Sequence, residues 1–367
     1  MRALPLMLGA ALATLASEPA AAFTYRTCNG IPLKWSTNGP TLNASSTSFP
    51  TGYWRDGLQK SVDRTNQNPS PFFFRLATDT DGVRVANGSS EVWGSTDPAV
   101  LQGAPALAYN QFDCYSLLGT TVARYKETDV VFNYNTPFQY TADELKSSII
   151  RYTGSKRQLQ GTAIHEFGHS LGLLHVNTEY NVMGSDFEHI WANGAIARGY
   201  LGEDASDGTV FLYGLWSGDY QDLGVAHWKY LGASGQCSTH TKTRVYTSTG
   251  GALPTVNVNG ETGFSVARGQ AVQVEFTYEN NGKTSQNVDT GWYVSTNDFI
   301  SSTDRLLAST KLTLARDNAY TYRRTVTIPT NLTRGVNYWL GTIVDRTGAV
   351  ADRVRNNNAT YVPIRVQ

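Results

Sequence analysis

His165-Glu166-Phe167-Gly168-His169-Ser170-Leu171-Gly172-Leu173-Leu174-His175 is the stretch on which the reading of this 367-residue chain turns. Leu159, Ala163, Phe167 and Leu171 recur at intervals of four, so residues 158–171 are expected to form a helix with one apolar face. His165 and His169 share another face of that helix, one turn above the other, and both imidazoles can reach a single ion. Glu166 projects toward the same side without being an obvious ligand. Gly172 easily takes the left-handed conformation that ends helices. If the helix ran on, His175 would fall on a poorly matched face; a reversal at Gly172 brings it back to the same ion.

Three neutral imidazoles suit a zinc ion with ligands at about 2.0–2.1 Å. They leave its double charge intact, which favours ionisation of water and polarises a peptide carbonyl. Glu166 is then placed as general base, taking a proton from the water and passing it to the leaving amine. A bare His-Glu-x-x-His also arises in unrelated proteins, and it is Gly172 and His175 at their offsets that make the pattern specific. A helix that merely carried surface histidines would have to place three of the chain's six within this one segment.

The segment resembles the extended zinc motif of the metzincin metalloproteases. That resemblance implies His165, His169 and His175 as ligands of one catalytic Zn2+ and Glu166 as the catalytic base. It also implies a methionine in a tight turn beneath the metal, and Asn181-Val182-Met183-Gly184 fits that place, with Met183 as a soft apolar floor. Leu201-Gly-Glu-Asp-Ala-Ser-Asp-Gly208 is similar to the final helix of a matrixin-like domain. Pro32-Leu33-Lys34-Trp35 resembles its first strand, and residues 128–132 resemble the strand before the zinc helix. Where some metzincins carry a tyrosine two residues after the methionine, this chain has Ser185, so that role is not carried over to the nearby Tyr180. Latency through an N-terminal cysteine would require Cys28 as a zinc ligand; a structural disulfide is the simpler expectation.

Arg2, the apolar run after it and Ala20-Ala21-Ala22 read as a signal peptide over residues 1–22, cleaved near Ala22. The run is shorter than the ~20 residues needed to span a bilayer, and no later segment is apolar enough. The chain is therefore expected to be secreted, extracellular or periplasmic. In such a compartment two of Cys28, Cys114 and Cys237 can pair, with Cys28–Cys114 preferred because both fall in the first domain. Acidic and basic residues balance at 30 each, which gives no electrostatic reason to expect a nucleic acid or an anionic membrane as partner.

Residues 31–35, 72–76, 106–109 and 129–134 read as strands and residues 56–66 as a helix. Thr141-Ala-Asp-Glu144 has the spacing of a capping box, so a helix or helical turn is expected there. Residues 238–258 read as a linker between a peptidase domain at 23–237 and a second domain at 259–367. In the second domain, alternating runs at 271–278, 291–295, 321–328, 338–344 and 361–366 suggest a β-sandwich. Tyr278-Glu-Asn-Asn-Gly282, Tyr293-Val-Ser-Thr-Asn-Asp298, Ser302-Thr-Asp-Arg-Leu306 and Asn356-Asn-Asn-Ala-Thr360 resemble a bacterial cell-adhesion-related (CARDB) module. Asp298 and Asp304 raise calcium as a second ion, but acidic turn caps account for both. His189, His227 and His240 are expected in surface or core roles.

The expected fold class is thus α+β: a metzincin-type domain, with a twisted mixed sheet and a zinc-binding helix, followed by an all-β immunoglobulin-like sandwich. The expected function is a secreted zinc endopeptidase acting on protein or peptide substrates, whose C-terminal module binds a surface or protein partner. Two other readings stand beside it: a zinc hydrolase of a non-peptide or modified-peptide substrate, and an adhesion protein with a structural zinc. Glu166 argues against the last, since a structural site needs no base beside its ligands.

Overall fold

The computed structural model describes residues 23–37, 39–79, 82–177, 180–184, 189–227 and 243–367. The expected signal peptide, Cys237 and His240 lie outside them, as do Ser185 and part of the expected linker. Strand makes up 43% of the chain and helix 15%, which overturns the expected α+β class with its metzincin-type domain: the fold is β-rich. Four α-helices occur among the described residues, and one of them, Pro98–Leu101, is a single turn. The expected helices form, at Tyr53–Thr65, Leu159–Leu171 and Gly202–Tyr213, and it is strand beyond the expected runs that shifts the balance. The helical turn expected after Thr141-Ala-Asp-Glu144 is a 3-10 turn at Lys146–Ser148, and the acidic groups of that segment bond elsewhere. Asp143 accepts from the Leu145 N–H at 3.0 Å, and Glu144 pairs with Arg64 and with Arg198.

The N-terminal half is built on a five-stranded sheet in the order Arg75–Asp79, Thr41–Ser45, Glu91–Ser95, Thr120–Asn133, Ala106–Leu117. The first four strands run parallel and the last antiparallel. Leu42, Ala44, Val92, Val130 and Phe132 point into one core. There they meet Leu58 and Val62 of the helix Tyr53–Thr65 and Ala163, Phe167 and Leu171 of the helix Leu159–Leu171. Each of the buried Leu, Val and Phe side chains contributes about 1.5–3 kcal/mol relative to leaving it exposed, and each alanine less.

The last two strands are far longer than expected. Their polar, half-exposed outer residues hide the continuation of the hairpin, which turns at Leu118-Gly119, both at positive φ (49° and 81°). Cys28 and Cys114 form a disulfide that ties this arm to the chain's N-terminal segment across 86 residues. Constraining a loop of that size is worth roughly 4–5 kcal/mol in the chain-entropy picture.

The C-terminal half is a sandwich of two sheets. In one, Ala271–Asn280 pairs along its length with Asn318–Thr327, and its other edge carries Arg244–Thr247 and Leu223–Ala226 end to end. The other has the order Thr255–Val258, Glu261–Val266, Ala359–Val366, Asn337–Ile343, Gln286–Ser295, Arg305–Leu314. Val272, Val274, Phe276 and Tyr278 pack with Trp292, Leu340, Val362 and Ile364 between them. Leu223–Ala226, which precedes the expected linker, is thus a strand of the sandwich.

Polar bonds join the two halves. Trp191 Nε1 donates to the Ala359 carbonyl at 2.7 Å, Thr360 Oγ1 to the Ala192 carbonyl at 2.8 Å, and Asn193 exchanges two bonds with Ile300. No described helix is long and apolar enough to cross a membrane.

Candidate metal centre and active site

The histidine helix spans Leu159–Leu171, and its apolar face, Leu159, Ala163, Phe167 and Leu171, is fully buried. Phe167 packs on Phe74, ring centroids 5.7 Å apart. A helix end leaves carbonyls without partners, and here side chains supply them. Asn110 Nδ2 donates to the His169 carbonyl at 3.0 Å, Trp35 Nε1 to that of Ser170 at 2.7 Å, and the Tyr213 hydroxyl to that of Leu171 at 2.6 Å.

Gly172 stops the helix at φ 116°, left-handed backbone that an L side chain resists. A Cβ there would also come within 3.1 Å of the Leu33 carbonyl oxygen. The chain then turns back as Leu173–Leu174, pairs antiparallel with Thr24–Tyr25, and delivers His175 opposite the helix.

His165 and His169 each place Nε2 3.1 Å from Nε2 of His175. Their Nδ1 atoms are engaged by backbone carbonyls, His165 with Val182 at 2.6 Å and His169 with Leu173 at 2.9 Å. A carbonyl only accepts, so each Nδ1 carries the proton and each Nε2 turns a lone pair inward. Burial lowers all three imidazoles, His165 to about 4 and His169 to about 3, which keeps them neutral.

Three ligand nitrogens at about 2.0–2.1 Å from one tetrahedral ion stand ~3.3 Å from each other. The two spacings to His175, 3.1 Å each, are close to that, and the three form the one group among the described residues able to hold a metal in this way. The donor set fits zinc: neutral imidazoles oriented by carbonyls behind them.

Glu166 is buried, lines the same cleft as the histidines, and accepts a hydrogen bond from the Ala108 N–H. Burial pushes its carboxyl up to about 8, against the pull of that bond. The cleft holds about 460 Å3 and is walled by residues 104–108, the start of the edge strand Ala106–Leu117 and the two residues before it, with Arg26, Asn110 and Arg157 around it.

Asn181-Val182-Met183-Gly184 forms a turn directly under this group. Asn181 Oδ1 accepts from the Met183 N–H at 2.7 Å, and the Val176 N–H donates to the Met183 carbonyl at 3.0 Å. The turn does two things: Val182 orients His165, and buried Met183 packs on the helix at Gly168. A Cβ on Gly168 would stand 2.2 Å from the Met183 sulfur, so the residue between the histidines must be small.

Tyr180 points away from the cleft; it stacks on His189 at 5.6 Å and its hydroxyl accepts from the Ile190 N–H at 3.0 Å. Cys28, in its disulfide, is not available as a ligand. His189 pairs with Glu279, and His227 Nδ1 lies 2.8 Å from the Thr360 hydroxyl, both buried at the junction of the halves. Asp298 accepts from Lys146 at 2.6 Å and is its charge partner, while Asp304 accepts from the Ser301 N–H at 2.7 Å and caps that turn.

Several contributors have no sequence signature: the Val182 and Leu173 carbonyls, the Ala108 N–H, and Arg26 and Arg157, remote or unremarkable in the chain. The need for a residue without a side chain at Gly168 comes only from the packing of Met183 against it.

No family model matches the chain, and no curated protein matches it. Similar solved structures include the CARDB domain of a protein from Pyrococcus furiosus, in complex with di-metal ions, at 13% identity over 40% of this chain and 90% of that one, TM-score 0.25. Others are a β-glucosidase from Listeria innocua in complex with glucose, at 13% identity over 34% and 16%, TM-score 0.21, and a Niemann-Pick type C2 protein from the Japanese carpenter ant, at 10% identity over 29% and 80%, TM-score 0.20. At these identities and scores the likenesses say nothing of activity.

Proposed function

We propose that the protein is an exported zinc-dependent endopeptidase, of metzincin type in its metal motif, whose C-terminal CARDB-like sandwich binds a surface or protein partner. One observation carries this: three converging Nε2 atoms and a buried carboxylate share a cleft walled by a sheet-edge strand. Among the described residues the strand Ala106–Leu117 is paired on one side only, and an extended peptide can add to such an edge through main-chain hydrogen bonds. That favours a peptide over a compact substrate.

His165, His169 and His175 would hold the ion, which supplies Lewis acidity toward water and toward the scissile carbonyl and draws Glu166 to its ionised form. The Val182 and Leu173 carbonyls keep the two helix imidazoles in the ligating tautomer. Glu166 takes the proton of the attacking water and returns it to the departing amine, and its burial keeps bulk water from competing for that proton. The Asn110 bond to the end of the helix fixes His169 relative to the edge strand.

The test is digestion of a mixed protein substrate by zinc-loaded wild type, by chelator-treated wild type, and by Glu166→Gln. Cleavage by the first alone, with the variant retaining zinc and losing about 10²–10⁴-fold in rate, is the expected result. No cleavage by zinc-loaded wild type would sink the peptidase reading and leave a binding protein with a structural zinc.

A further inference from the structure

The cleft carries two guanidinium groups and one carboxylate. Arg26 and Arg157 both line it, and Glu166 is its one acidic group among the described residues. The charge of Arg157 bears on His165 and that of Arg26 on His169. Those histidines are one helical turn apart, ~5–6 Å, so the cations address opposite ends of the histidine row.

Each arginine is held by its backbone beside the ligands. Arg26 follows Thr24–Tyr25, its N–H donates to the Gly172 carbonyl at 3.3 Å, and its guanidinium lies over the Phe112 ring at 5.4 Å. Arg157 leads into the histidine helix from a two-residue strand paired with Tyr140–Thr141. An extended substrate along the edge strand advances ~3.3 Å per residue. Carboxylates one or two positions either side of the scissile bond therefore come within reach of the two arginines.

We propose, resting on the peptidase reading, that the cleft selects peptides with acidic side chains on both sides of the bond cut, and that Arg26 and Arg157 are specificity-determining residues serving opposite sides. Each half-exposed pairing is expected to favour the acidic peptide by up to about fivefold, expressed mainly in KM.

The experiment uses the zinc-loaded full chain and one cleavable quenched-fluorescent peptide, made with Glu, Gln or Lys at the flanking positions on one side, the other, or both. The expected order of kcat/KM is Glu above Gln above Lys, with the differences shrinking as salt is raised. Arg26→Gln should erase the preference on one side and Arg157→Gln on the other, and lysine at either position should restore it in part. Equal cleavage of the Glu, Gln and Lys peptides, or a preference that both variants retain, overturns the proposal while leaving the peptidase reading intact. Cleavage of none of the peptides overturns both.

Discussion

Two polar clusters in this molecule are built on opposite principles. At the junction of the halves, buried Lys146 donates to Glu261 at 3.1 Å, to Asp298 at 2.6 Å and to the Tyr361 hydroxyl. Every charge there has an opposite partner inside the chain. At the histidine trio, the Nε2 atoms of His165 and His169 each stand 3.1 Å from Nε2 of His175, and no charged partner of the chain stands between them among the described residues. The junction is complete as folded. The trio gathers three ring nitrogens that one added cation can bridge, and this sets it apart from the charge-paired junction.

Removing one member of each cluster tests the contrast most strongly. Lys146→Ala leaves Glu261 buried without its cation, and should destabilise the protein by about 3–5 kcal/mol in denaturant unfolding. His175→Ala, measured in chelator, should cost under ~1 kcal/mol, since its ring nitrogen serves no internal partner that needs it. Its effect should appear as lost zinc retention. A chelated His175→Ala protein as unstable as Lys146→Ala would remove the distinction.

Legibility follows the same line. The histidine helix and its glycine stop could be read because they are local: apolar residues at intervals of four, then the one residue type that favours φ 116°. The sandwich strands could be read from their alternation at Val272-Val274-Phe276-Tyr278. The class of the fold could not, because strand 106–117 and its partner 120–133 carry polar residues on open faces and show no period to the eye. Nor could Leu223–Ala226 be assigned, since four small or apolar residues become a strand only when Ala271–Asn280 is beside them. In the site, the ring positions were local and legible, whereas the carbonyls that orient the rings, and the arginines near them, arrive by tertiary folding.

Glu144 offers a second interior cluster of the paired kind, with a smaller effect. Burial alone would raise its carboxyl, but Arg64 and Arg198 outweigh burial and hold it at about 2. In the unfolded chain a glutamate titrates near ~4.3. The unfolded state therefore takes up the proton first as pH falls. The stabilisation is complete above about pH 5, and it is lost progressively on the way down to about 2. Wild type should lose about 1–2 kcal/mol more than Glu144→Gln between pH 6 and 3, read from urea midpoints at each pH. Parallel curves for the two proteins would mean that the arginines do not hold Glu144 in this way.

Gly168 joins the trio to its floor, and here the smallest substitution probes whether the two move together. In Gly168→Ala the new methyl stands 2.2 Å from the Met183 sulfur, closer than any relaxed contact, so the buried Met183 side chain must shift, and the turn with it if the core leaves that side chain no other room. Overpacking of this kind costs about 1–3 kcal/mol. The turn also carries the Val182 carbonyl that holds His165 at 2.6 Å, so its displacement should loosen zinc as well as the fold. Adding Met183→Ala makes room for the methyl and should recover part of the stability. Zinc retention should recover only as far as Val182 returns to its place. A Gly168→Ala protein with unchanged midpoint and unchanged zinc content would show that the floor and the ligands are independent, and the methionine would then be ordinary core packing.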